Sequence, residues 1–96
     1  MGSYIWVEVS KGSPDRLPMA EKQWNLVRQP GHTSVSPRAR VFCTAADPAC
    51  WEYEIPYEMS RGVSDDLKRA MILAEISARV ADVERQYPLR IPGRVK

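Results

Sequence analysis

The stretch SDDLKRAMILAEISARVADVERQY, Ser64–Tyr87, decides how this chain folds. Neither Gly nor Pro interrupts it before Pro88, Ser64 is a favoured helix N-cap, and Asp65 and Asp66 stand where a helix dipole attracts anions. One long helix is predicted. Wound at about 100° per residue, it carries apolar side chains on two separate stripes. Ile72, Leu73, Ile76, Val80, Val83 and Tyr87 are large and mostly branched, and form the stripe expected to meet the core. Leu67, Ala70, Met71, Ala74, Ala78 and Ala81 lie roughly opposite, and Lys68, Glu75, Arg79, Asp82 and Gln86 form a polar stripe between the two.

Alanine keeps a helix face shallow, so that another backbone can approach closely, and covering such a face is favourable at roughly 25 cal/mol per Å² of apolar area. The chain offers no second long helix to do this. The alanine stripe is therefore expected to face outward and bind a protein partner, most simply a second copy related by a two-fold axis. The competing reading is that alanine is present as the best helix former, with Leu67 and Met71 tucked under a loop.

Upstream of the helix, Arg38–Thr44 and Trp51–Tyr57 read as antiparallel strands joined through Ala45–Cys50. A register pairing Ala39 with Ile55, Val41 with Tyr53 and Cys43 with Trp51 places all six on one face and sets Arg40 opposite Glu54 on the other. Pro56 ends the second strand, and Glu58–Gly62 leads to the helix cap. Tyr4–Val9 alternates as a half-buried strand does, with Ile5, Val7 and Val9 on one side and Tyr4, Trp6 and Glu8 on the other. Lys11–Pro18 and Pro30–Pro37 are loops by their Gly, Pro and Ser content. Glu21–Gln29 fits a strand or a short helix, with strand favoured. Pro88 and Pro92 make 88–96 an extended basic tail. The fold expected is α+β, a small antiparallel sheet of three or four strands with one long C-terminal helix packed on one face, in a single domain spanning 1–96.

A 96-residue chain has no room for a second independent core, and 44% hydrophobic with 27% charged residues is an ordinary globular balance rather than that of a disordered chain. A net charge of +2 falls far below that of a dedicated nucleic-acid binder. No apolar run is long enough to span a membrane, and no secretory leader pattern opens the sequence, so a cytoplasmic protein is expected. Gly2 makes no myristoylation signal, because Trp6 stands where Ser or Thr is required. With only Cys43 and Cys50 there is no disulfide framework, and the hairpin register leaves Cys50 in the turn, out of opposition with Cys43.

Residues that carry chemistry are few. His32, Cys43 and Cys50 match no zinc spacing, so neither metal nor cofactor is expected. A small enzyme built on His32 with Cys43 or Cys50 as nucleophile is the weakest reading, since no orienting third group can be named. The acids Asp47, Glu52, Glu54, Glu58, Asp65 and Asp66 read as a solvated face that suits a basic protein surface. Arg28, Arg38 and Arg40, with Arg90 and Arg94 of the tail, allow a weak nucleic-acid binder as the alternative function. Tyr4 and Trp6 suit partner anchors if they face outward. The leading expectation is a non-enzymatic protein-binding module, a homodimer. Its contact residues are Leu67, Ala70, Met71, Ala74, Ala78 and Ala81, joined by Tyr4 and Trp6. By analogy of size alone, it suits a small inhibitor or adaptor of a host complex, as phage and mobile-element proteins often are.

Overall fold

The computed structural model describes residues 3–29, 37–56 and 60–86. These form five strands, β1 (Ser3–Glu8), β2 (Ala20–Gln29), β3 (Ala39–Thr44), β4 (Asp47–Ile55) and β5 (Ser60–Ser64), followed by helix α1 (Leu67–Gln86). The strands make one antiparallel meander in the order β1-β2-β3-β4-β5, and α1 lies across β3, β4 and β5 on one face. The architecture is the expected α+β arrangement with one strand more than the upper limit. The additional strand is β5, in the stretch read as a lead into the helix cap.

Glu21–Gln29 is strand, as favoured, and Arg40 pairs with Glu54 and Val41 with Tyr53 in the expected register. Toward the turn the register departs from expectation. Thr44 pairs with Asp47 across the two residues Ala45 and Ala46, and the ladder shifts between Phe42 and Thr44, so Cys50 lies within β4 rather than in the turn. Both cysteines are free, Cys43 buried and Cys50 half-buried.

The helix starts later than Ser64. Asp66 is the cap, its Oδ2 accepting from the Arg69 amide at 2.9 Å, while Ser64 ends β5 and its Oγ accepts from the Asp66 amide at 3.2 Å. The first turn of α1 contains no acid.

The helix face is the reverse of the one predicted. Ala70, Ala74 and Ala78 are 0% exposed and Ala81 is 7% exposed, all turned to the sheet, with Leu67 and Met71 packed beside them. The expectation that these six residues face outward is overturned. The reason is volume. The sheet face beneath α1 is built from Leu26, Val41 and Ile55 and flanked by Tyr4, Trp6, Trp51 and Tyr53. A sheet that supplies this much bulk leaves space for methyl groups on the helix, at the density of a packed interior. Tyr53 of β4 occupies the same face, and its ring lies against Gly62 of β5, its register partner; a Cβ at Gly62 would clash with the phenol end of that ring, at Oη, Cζ and Cε2.

Ala74→Leu should lower stability by about 1–3 kcal/mol through overpacking. Asp66→Ala should cost about 0.5–2 kcal/mol through loss of the cap. Urea unfolding followed by circular dichroism reads both, and an Ala74→Leu midpoint equal to wild type would contradict the packing described.

Candidate protein-binding face

With alanine turned inward, the branched stripe points to solvent. Ile72, Ile76, Val80 and Val83 are 51%, 54%, 51% and 57% exposed, whereas Leu73 is half-buried at the margin. Tyr87, the remaining member expected on this stripe, lies outside the described residues. Four large aliphatic side chains at helical spacing make a contiguous apolar strip, the kind of exposed patch that marks an interaction surface more than scattered single residues do. Along one margin, Ile72, Glu75, Ile76 and Arg79 line a shallow depression of about 230 Å³.

The polar stripe of α1 closes over β1 and β2. Glu75 accepts from the Trp6 indole at 3.2 Å and from Arg79 at 2.9 and 3.0 Å. The Arg79 guanidinium lies over the Tyr4 ring, 4.9 Å from its centre. Tyr4 and Trp6 are thus half-buried against the core and covered by helix side chains, and are not free as outward anchors. It is Ile5 and Val7 of β1 that face solvent, on the side of the sheet away from the helix.

The basic residues do not form one surface. Arg38 hydrogen-bonds Asp82 of α1, with Arg28 4.0 Å from the same carboxylate, so both lie on the helix side. Arg40 pairs with Glu54 at 2.8 Å, and Arg61 reaches the other oxygen of Glu54 at 3.5 Å, on the opposite face. Each of these three sequence-predicted arginines faces a carboxylate, which leaves no assembled phosphate cradle among the described residues. Arg90 and Arg94 lie outside them, as does His32.

Cys43 is a buried strand residue. Desolvation, with the negative charges of Asp47 and Glu52 beside it, pushes the Cys50 thiol pKa up, which favours the protonated, unreactive form. Among the described residues no group of three His, Cys, Asp or Glu side chains is placed to hold a metal ion, and no helix is long and apolar enough to cross a membrane. A second, larger depression of about 460 Å³ beside Glu8, Lys11, Glu21 and Lys22 is walled by Arg16, whose guanidinium donates to the backbone carbonyls of Val9, Ala20 and Glu21. Its strongest donor is therefore committed to holding the loop.

No family model matches the chain, and neither a curated protein nor a solved structure matches it.

The Cys50 assignment has a direct consequence. Alkylation of Cys50 by iodoacetamide should be slower at neutral pH than for a free peptide cysteine, and its rate should keep climbing through the alkaline range as the thiol ionises. Mass spectrometry of the modified peptide reads the rate, and rapid labelling at neutral pH is the contrary result.

Proposed function

We propose that this chain is a non-enzymatic protein–protein interaction module that docks through the outer face of α1. The observation carrying this reading is the half exposure of Ile72, Ile76, Val80 and Val83 in one strip on a 20-residue helix. Full burial of an aliphatic side chain is worth about 1.5–3 kcal/mol, so covering the exposed halves of four yields about 3–6 kcal/mol before the entropic cost of association. That gain supports a reversible contact and requires help from the polar margins. An adaptor or inhibitor acting by occupying a surface needs no more chemistry than this.

The reading differs from the sequence expectation in the face used and not in the kind of activity. Alanine faces inward, and the branched residues take its place as the contact surface.

A photo-crosslinking amino acid placed at Ile76, with one at Glu21 as the remote control, tests it in extract of the source cell. Discrete protein adducts are expected from the Ile76 position and not from Glu21, and they should disappear when Val80→Asp is added. Val80→Asp should leave unfolding stability within about 0.5 kcal/mol of wild type, because the site is exposed. Adducts indistinguishable between the two positions would remove the interaction reading.

A further inference from the structure

We infer that the partner seated on the outer face of α1 is a second copy of this chain, the two helices packing antiparallel about a two-fold axis at Ile76. This rests on the interaction reading above and adds the identity and orientation of the partner. The observation is a ridge of solvent-facing residues at every fourth position, Lys68, Ile72, Ile76, Val80 and Glu84, with the three apolar ones about half exposed. Such i±4n rows are the ridges by which helices interlock, at an interaxial angle of about −50° when both partners use them.

The ridge is complementary to itself when reversed. With the axis at Ile76, that residue meets its own copy, Ile72 meets Val80 of the other copy, and Lys68 meets Glu84 of the other copy. Apolar residues thus fall at the centre and opposite charges at both rims, twice over by symmetry. The depression lined by Ile72, Glu75, Ile76 and Arg79 has the i, i+3, i+4, i+7 pattern of the hole that receives one side chain of a facing helix. Its place along the axis matches that of Ile76 from the second copy.

The charges at the rims set the orientation. Lys68 lies in the first turn of α1 and Glu84 in the last. An antiparallel neighbour lays its Glu84 beside Lys68 and its Lys68 beside Glu84, so both rim contacts are attractions. A parallel pairing would set like charges side by side. From Ile72 to Val83 the strip is only about 17 Å long at 1.5 Å per residue. The dimer is therefore concentration-dependent rather than obligate, since a standard interface covers about 800 Å² per partner.

Sedimentation of the full chain from about 1 μM to about 1 mM spans the affinities that such a contact reaches. A monomer-to-dimer transition is expected. Ile76→Asp, which brings two carboxylates together at the axis, should weaken it at least about 30-fold, the loss expected for a central contact residue. Lys68→Glu and Glu84→Lys should each weaken it about 3- to 10-fold at low salt, and the double variant Lys68→Glu with Glu84→Lys should recover it. Orientation is read by oxidation in a Cys50→Ser background: Ile76→Cys should crosslink to its copy. Lys68→Cys should not, because an antiparallel pair separates those two positions by about 24 Å along the helix.

A species monomeric at every concentration, a dimer indifferent to Ile76→Asp, efficient crosslinking by Lys68→Cys, or failure of the charge-swapped double to recover overturns the proposal. If the chain stays monomeric while the Ile76 photo-crosslinker captures a different protein, the interaction reading stands and the second copy is ruled out.

Discussion

The structure depends on a division of volume across one interface, in which the sheet supplies the bulk and the helix supplies the absence of it. Leu26, Val41 and Ile55, with Tyr4, Trp6, Trp51 and Tyr53 around them, fill the space under α1, and Ala70, Ala74 and Ala78 bring the helix down onto them. Dispersion and hydrophobic burial reward this only at close approach, because a small radial gap forfeits much of the contact energy. Methyl-sized side chains permit that approach. Once this face is fixed, rotation at 100° per residue leaves no freedom in where the branched residues go, and they must point to water.

Polar contacts fix the sliding and tilt that alanine packing alone leaves open. Asp82 meets Arg38 just ahead of β3 and lies near Arg28 of β2, which ties the carboxyl half of α1 to the sheet. Glu75 and Arg79 reach over Trp6 and Tyr4 at the β1 side. On the far face the 10–19 loop is held by a fully buried Gln23, whose Oε1 accepts from the Leu17 amide and whose Nε2 donates to Asp15 O and Asn25 Oδ1. A buried amide with its donors and acceptors engaged is specific as well as stabilising, since a shifted loop would leave it unsatisfied. The consequence for α1 is a defined azimuth, so that the same four aliphatic residues are always the ones presented.

Much of this was legible in the sequence and one step was not. The period of 64–87 located the helix, the alternation of Val41 with Tyr53 gave the central register, and the Arg40–Glu54 pair followed from it. Strand β5 was missed because SRGVS is short and interrupted by Gly62, whose missing side chain is compensated by the Tyr53 ring, a tertiary effect with no local signature. The two helical stripes were identified, yet their assignment was reversed, because hydrophobicity ranks isoleucine above alanine while packing responds to the volume on both sides. The signal was present: Tyr4, Trp6, Trp51 and Tyr53 share the helix-facing alternation, and a sheet face that bulky is filled best by small partners. The exposed ridge from Lys68 to Glu84 was legible too, once the buried face was known.

That reversal strengthens rather than weakens the case for a partner. Alanine facing water makes the weaker case for a partner, since it is the residue that most favours a helix and exposes little apolar area. β-Branched side chains are different. They lose rotamer freedom in a helix, and a surface under selection only for helicity and hydration carries Glu, Lys, Gln or Arg at such positions. Ile72, Ile76, Val80 and Val83 stand about half exposed, at positions where helix propensity does not favour them. Contact with a second copy, as proposed, would remove them from water, and a helix ridge complementary to its own reverse is the feature that favours it.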